Sequence, residues 1–312
     1  MPFACNPRVR KSVQSGVRLG GKSAWYLIRL IVPISLAANF LQWSGYLTVI
    51  SQPLAPAMRA LGLPGEASIA LVSGWLAGVY GGLAAMTAVP FTVKQLNIFA
   101  VMMLVGHNFL VESTVQDRTG MRWWKITGLR LAVSFLLAAL LNVLLPAEGH
   151  AKLLFGAVHD HLELGPMLWA WALRAARLIA MIAAIVLSLT VTMQLLREFG
   201  WFDRLAAALN PLMKVFGLTK NVSFLWVTAN LLGLAYGAGL IMNESRSGVY
   251  TAEELRDLNS SIGISHSLLE GTIIFLGLGA NLVILVVPRL VAAIVVVHLL
   301  HLFVRQVTLA EG

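Results

Sequence analysis

Apolar residues run almost unbroken along this chain, and polar ones gather in short gaps between the runs. The apolar stretches fall at 25–50, 66–91, 95–115, 126–146, 165–196, 222–243, 258–277 and 279–304. A helix needs about 20 apolar residues to cross the hydrocarbon of a bilayer. The pattern therefore predicts an all-α integral membrane protein with about eight transmembrane helices. Two amphipathic stretches interrupt it, SQPLAPAMRALGLP (51–64) and WFDRLAAALNPLMKVFGLT (201–219). Each holds a proline and reads as a short helix lying at the interface or re-entering the membrane.

The chain repeats itself. LQWSGYLTVISQPLAPAMRALGLPGEASIALVSGWLAGVYGGLAAM (41–86) lies against LREFGWFDRLAAALNPLMKVFGLTKNVSFLWVTANLLGLAYGAGLIM (196–242). At an offset of 155, Gly45 meets Gly200, Pro56 meets Pro211, and Gly78 meets Gly233. At an offset of 159, His107 meets His266 and Arg130 meets Arg289. Matches among apolar residues carry little weight, but these rarer residues keep their order. The expected division is a basic segment at 1–24, a first repeat at 25–146, a polar loop at 147–164, a second repeat at 165–304 and a tail at 305–312. Two repeats of membrane helices with a site between them are a transporter architecture. Four spans per repeat make the copies parallel, and a re-entrant segment makes them inverted. The basic regions at the N-terminus, 115–130 and 197–220 share one side only if an even number of crossings separates them. Three spans between residues 24 and 115 conflict with that.

Ionisable groups inside the runs are the candidate chemistry. A carboxylate at bilayer depth costs roughly 2.5–3.5 kcal/mol on insertion scales, so it persists where it faces a cavity, a partner or an ion. His266 and Glu270 are four apart and share a face of a regular helix. His107 and Glu112 are five apart, so Asn108 shares Glu112's face unless a bulge intervenes. One reading makes these two pairs cation ligands or a proton relay, with His107, Glu112, His266 and Glu270 as metal ligands. The other lets them reach water at span ends. The clusters GVYGG (78–82) and GLAYGAG (233–239) allow close packing or an unwound turn touching a solute. Candidate solute-binding residues there are Gly78, Tyr80, Gly81, Gly233, Tyr236, Gly237 and the in-span Asn230. Asn97 and Asn259 read as helix caps, and Arg130 and Arg289 as arginines snorkelling to the interface.

Composition agrees with the pattern. The 312 residues are 58% hydrophobic and 12% charged, with mean hydropathy +0.79 and net charge +9. The basic residues flank apolar runs, as suits cytoplasmic loops and anionic headgroups rather than nucleic acid. A single cysteine, Cys5, excludes an internal disulfide. No cleavable signal is expected, because polar and basic residues precede the first run. There is no GxxxxGK[ST], GxSxG or HExxH, so no cofactor is implied and an enzyme is not expected.

The stretches GWLAGVYGG, TANLLGLAYGAGLIMNES and DLNSSIGISHSLLEGT resemble membrane proteins carrying the nucleoside-recognition Gate domain. That group includes spore-maturation membrane proteins and the membrane region of the bacterial ferrous-iron transporter. The resemblance covers roughly 41–145 and 196–304. It implies a multi-pass protein of the bacterial inner membrane that transports a small polar solute of nucleoside type with proton or cation coupling. The alternatives are a divalent-cation transporter or a non-transporting scaffold that assembles with partners. Expected partners are that solute or cation and the lipid bilayer, and a homo-oligomer is compatible with the sequence.

Overall fold

A computed structural model describes residues 7–146, 163–246 and 248–310, with the side chains of 202, 203, 232, 235–237, 240 and 304–310 outside the description. The expected polar loop at 147–164 falls almost wholly outside it, as do the ends of the N-terminal segment and of the tail. The described residues are helical. In order they form α1 (Pro7–Trp43), α2 (Tyr46–Ser51), α3 (Ala55–Ala60), α4 (Ala67–Met86), α5 (Val93–Val105), α6 (Phe109–Asp117) and α7 (Trp123–Leu144). The same series then recurs as α8 (Leu164–Glu198), α9 (Trp201–Val215), α10 (Ser223–Ser245), α11 (Ala252–Ser265), α12 (Glu270–Gly277) and α13 (Leu282–Ala310).

Local chemistry repeats with the elements. Thr92 and Gln95 form a capping box at the start of α5, and Thr251 and Glu254 form its counterpart at the start of α11. Each box satisfies two backbone donors that a helix start leaves open. Left-handed backbone recurs at matched places: Gly45 and Gly200, Gly62 and Gly217, Gly78 and Gly233, Asn108 and Ser267, Gly120 and Gly279. The two-repeat reading thus holds at the level of backbone conformation.

The repeats are inverted. α1 and α8 are equivalent, yet they pack antiparallel. Arg8 reaches Glu198 at one end, while Trp171 Nε1 donates to Ser35 Oγ at 3.2 Å and Arg174 to Asn39 Oδ1 at 3.0 Å near the other. Gly16 and Gly20 let the two backbones close up, since a Cβ on Gly16 would stand 2.6 Å from Val191 Cα. The broken units α5–α6 and α11–α12 are likewise antiparallel. Asn97 Oδ1 accepts from Asn281 N at 2.7 Å, and Gln116 donates to Asn259 O at 2.8 Å. Asn97 and Asn259 are therefore ties between the repeats rather than caps.

Two of the eight expected spans break at a glycine and fold back on themselves. α4 is apolar and long enough to span a membrane, but it folds back on itself at Gly78 (φ 77°, ψ −179°). A Cβ on Gly81 would lie 3.0 Å from the Ser73 carbonyl oxygen, and one on Gly82 3.2 Å from that of Ala70. Residues eight or more apart on a straight helix are separated by about 12 Å or more. Small residues on both arms permit this approach. Both ends of α4 sit beside the C-terminal half of α1 and its sequel, through Thr48–Glu66 and Asn39–Thr87 bonds. α10 breaks at Gly233 with nearly the same angles (φ 76°, ψ 162°). Its start is tied to Glu254 at the head of α11 through Asn221, and its end leads straight into α11. With both hairpins folded back, six units are left to cross, namely α1, α5–α6, α7, α8, α11–α12 and α13, although by length and hydropathy alone α4 qualifies as a span and α11–α12 does not. Hydropathy over-counted because a re-entrant hairpin is as apolar as a span.

This count removes the parity conflict. With six crossings the N-terminus, 117–123 and 197–220 fall on one side, as expected of basic segments that share a compartment. The α4 hairpin enters from the opposite side and the α10 hairpin from the basic side. Exposed cysteines test this in a Cys5→Ala background. Cysteines at Gly120 and Phe199 should react with an impermeant maleimide from the same side, and one at Gly45 from the other. Labelling of Gly45 and Gly120 from one side would restore α4 as a crossing.

Candidate functional site

Both broken crossing units stop at a histidine. Helix α5 ends at Val105 and resumes as α6 after Gly106–Asn108; α11 ends at Ser265 and resumes as α12 after His266–Leu269. Asn108 (φ 51°) and Ser267 (φ 54°) turn the chain at the two breaks. The backbone groups freed there are not left bare. Asn108 N donates to Gly74 O at 2.9 Å, and Ser267 N to Ala229 O at 3.3 Å. Each break is thus pinned to the hairpin of its own repeat.

His107 and His266 meet across the pseudo-two-fold axis, with their Nε2 atoms 3.4 Å apart. Equivalent residues touch only near the axis that relates them. His107 Nδ1 bonds Met103 O at 2.9 Å, and His266 Nδ1 bonds Ile262 O at 2.8 Å. A carbonyl only accepts, so each ring donates from Nδ1 and turns Nε2 inward. There the two rings face one carboxylate. Glu112 Oε1 is 3.3 Å from His107 Nε2, and Glu112 Oε2 is 3.1 Å from His266 Nε2. All three side chains are buried.

Arg130 closes the group. It donates to Glu112 Oε2 at 2.8 Å, to His107 O at 2.7 Å and to Val105 O at 2.9 Å. Its guanidinium also lies over the Phe109 ring at 5.1 Å. Arg289 does the equivalent work in the second repeat, donating to His266 O, Leu285 O and Thr272 Oγ1. Both arginines are fully buried. The expectation that they snorkel to the interface is corrected: each clamps the carbonyl that ends a broken helix.

The expected His266–Glu270 pair does not form, because the helix breaks between them. His266 pairs with Glu112 of the other repeat. Glu270 instead accepts a short hydrogen bond from Tyr80 on the α4 hairpin. So each acidic residue links the two halves. Sequence spacing missed this, since face-sharing holds only on an unbroken helix.

These groups border a cavity of about 300 Å³, the low end of the range for small-molecule sites. Its walls are the α4 tip (Ala77–Tyr80), the first break with His107, Asn108 and Glu112, the α10 tip at Gly233, and Ser267 with Glu270 from the second repeat. Leucines and Tyr26 of α1 close one flank. Of the candidate residues, Gly78, Tyr80, His107, Asn108, Glu112, Gly233 and Glu270 line the cavity. His266 sits behind His107, and Gly81 serves the contact between the hairpin arms. Asn230 is buried and bonds Trp226 O at 2.9 Å, away from the cavity wall. Tyr236 and Gly237 fall on side chains outside the described residues. Ser267 and Arg130 also belong to the site; for Arg130 the shared 23-residue spacing from histidine to arginine in the two repeats is the sequence signal.

Comparison with known proteins agrees with this architecture. The family model described as Gate, nucleoside recognition, matches residues 24–116 and 179–299. The chain is 30% identical over 291 residues to the uncharacterized membrane protein YvoD of Bacillus subtilis (strain 168), covering 92% of this chain and 93% of that one. No solved structure matches.

Proposed function

Since the chain belongs to the Gate (nucleoside recognition) family of membrane proteins, we propose that it is a permease for a small polar solute of nucleoside type, coupled to a proton or cation, in a bacterial inner membrane. The observation that carries this is the cavity beside the His107–His266 pair, walled by both hairpin tips and both broken helices. Inverted repeats meeting at such a site are the architecture of alternating access. The hairpin tips and breaks present irregular backbone, which is tolerated at membrane depth where it lines a cavity. Glu270 and Tyr80 would hold polar groups of the solute, with Asn108 and Ser267 beside them. The bond between Tyr80 and Glu270 joins the two repeats, so a solute that displaces it would free one half to rock against the other. No covalent bond is made or broken in this reading.

Flux into proteoliposomes tests it, with a panel of labelled nucleosides. Uptake is expected for at least one, and Glu270→Gln should cut it about tenfold or more. That is the scale of one hydrogen bond to a charged group. Folded protein that moves no member of the panel under any imposed proton or sodium gradient would sink the reading and favour the scaffold.

A further inference from the structure

We propose that His107, His266 and Glu112 form a binding site for one divalent transition-metal ion, of the zinc or cobalt(II) class, at the centre of the inverted repeat. The inference goes beyond the transport reading and stands without it.

The first ground is a conflict of lone pairs. Both rings commit Nδ1–H to backbone carbonyls at 2.9 and 2.8 Å. When the rings are neutral, both Nε2 atoms present lone pairs, to each other at 3.4 Å and to the Glu112 carboxylate at 3.3 and 3.1 Å. Three acceptor groups converge on a buried spot beside the cavity, where Arg130 donates to Glu112 Oε2 from outside the trio. A cation at their centre resolves this.

The second ground is metric. Bonds of about 2.0–2.1 Å in tetrahedral geometry place neighbouring ligand atoms about 3.3 Å apart. The two Nε2 atoms stand 3.4 Å apart, and each lies 3.3 or 3.1 Å from its own nearer Glu112 oxygen, Oε1 for His107 and Oε2 for His266, all close to that value. These separations exceed the roughly 2.7–2.9 Å of charge-assisted hydrogen bonds, which a shared proton would favour.

The third ground is the surrounding shell. Metal-binding histidines hold their other ring nitrogen on a carbonyl or carboxylate, and ligating carboxylates are themselves hydrogen-bonded. Met103 O and Ile262 O serve the two rings, and Arg130 serves Glu112 Oε2. Imidazole and carboxylate together suit zinc and its neighbours rather than calcium or magnesium. Three protein ligands leave a fourth position open. His107 and Glu112 both line the cavity, so that position faces the space where Glu270 also stands. Glu270 itself lies outside the trio. Because one histidine comes from each repeat, the ion would be complete only when the two broken helices meet. Arg130 opposes the ion's charge, which keeps the site weaker than a structural zinc site.

Cobalt(II) is the probe, because its tetrahedral complexes absorb strongly in the visible. Chelator-stripped full-length protein in detergent, titrated with Co²⁺, should show such a band at one ion per chain. His266→Ala should weaken the binding by about 100-fold or more. His301→Ala disrupts the other cluster of three metal-capable side chains among the described residues, Glu253, Asp257 and His301. It should leave the band unchanged. Wild-type protein that gives no tetrahedral band overturns the proposal, as does a band lost with His301→Ala and kept with His266→Ala. Should His266→Ala fail to fold, Glu112→Gln takes its place, and the wild-type titration is informative alone. Nucleoside flux measured in metal-free proteoliposomes fails or succeeds independently of this result.

Discussion

Arg130→Met lowers the stability of the folded protein by about 3–5 kcal/mol, the cost of breaking a buried ion pair by removing one partner. The guanidinium is fully buried, and so is the Glu112 carboxylate it pairs with at 2.8 Å. Methionine fills much of the volume but leaves that carboxylate without its charge partner, together with the carbonyls of Val105 and His107. Arg289→Met is the internal comparison. Arg289 occupies the equivalent position, yet its partners are two carbonyls and the Thr272 hydroxyl, and no carboxylate pairs with it among the described residues. Its loss should cost about 1–3 kcal/mol, the range for leaving neutral groups unsatisfied. The double variant Arg130→Met/Glu112→Gln should recover part of the first loss by removing the stranded charge. Denaturant or thermal unfolding in detergent reads all three. Equal losses for Arg130→Met and Arg289→Met would mean that the ion pair contributes nothing beyond the carbonyl clamps.

That comparison also marks how far the sequence could be read. The membrane class, the repeat and the His107–His266 equivalence follow from composition and from rare residues in conserved order along one chain. Whether an apolar run crosses or folds back does not follow from hydropathy, because both solutions bury the same side chains. The clue was topological: three spans between the first basic segments conflicted with their shared side, and a hairpin at Gly78 resolves it. The depth of Arg130 was hidden for a similar reason. An arginine at the head of an apolar run can extend outward or turn inward, and only the carbonyls of a broken helix reward the second choice. The pairing of acids was hidden because spacing rules assume a continuous helix. Once α11 stops at Ser265, Glu270 is free to meet Tyr80, and His266 is left for Glu112.

The hairpin tips should be the most sensitive positions for transport. Gly78 and Gly233 hold φ near +76° with ψ near 180°, a region almost closed to residues with a Cβ and worth about 1–3 kcal/mol of strain. Gly78→Ala and Gly233→Ala share that strain but differ in their surroundings. A Cβ at Gly78 meets nothing closer than Asn108 at 3.8 Å, whereas one at Gly233 would stand 2.7 Å from Ser267 Oγ. Ser267 must then give way, and with it the turn that follows His266. Gly233→Ala is therefore expected to cut flux more than Gly78→Ala, on the order of 100-fold against tenfold. Each tenfold corresponds to about 1.4 kcal/mol of added cost in the working state. Gly45→Ala controls for a left-handed glycine away from the cavity, with open space around its Cβ, and should leave flux near wild type. Unfolding midpoints measured beside flux separate the two routes to failure. A Gly233→Ala protein that stays folded but does not transport would place the α10 tip among the moving parts. Equal effects from both tip variants would mean that strain alone, and not the Ser267 contact, sets the outcome.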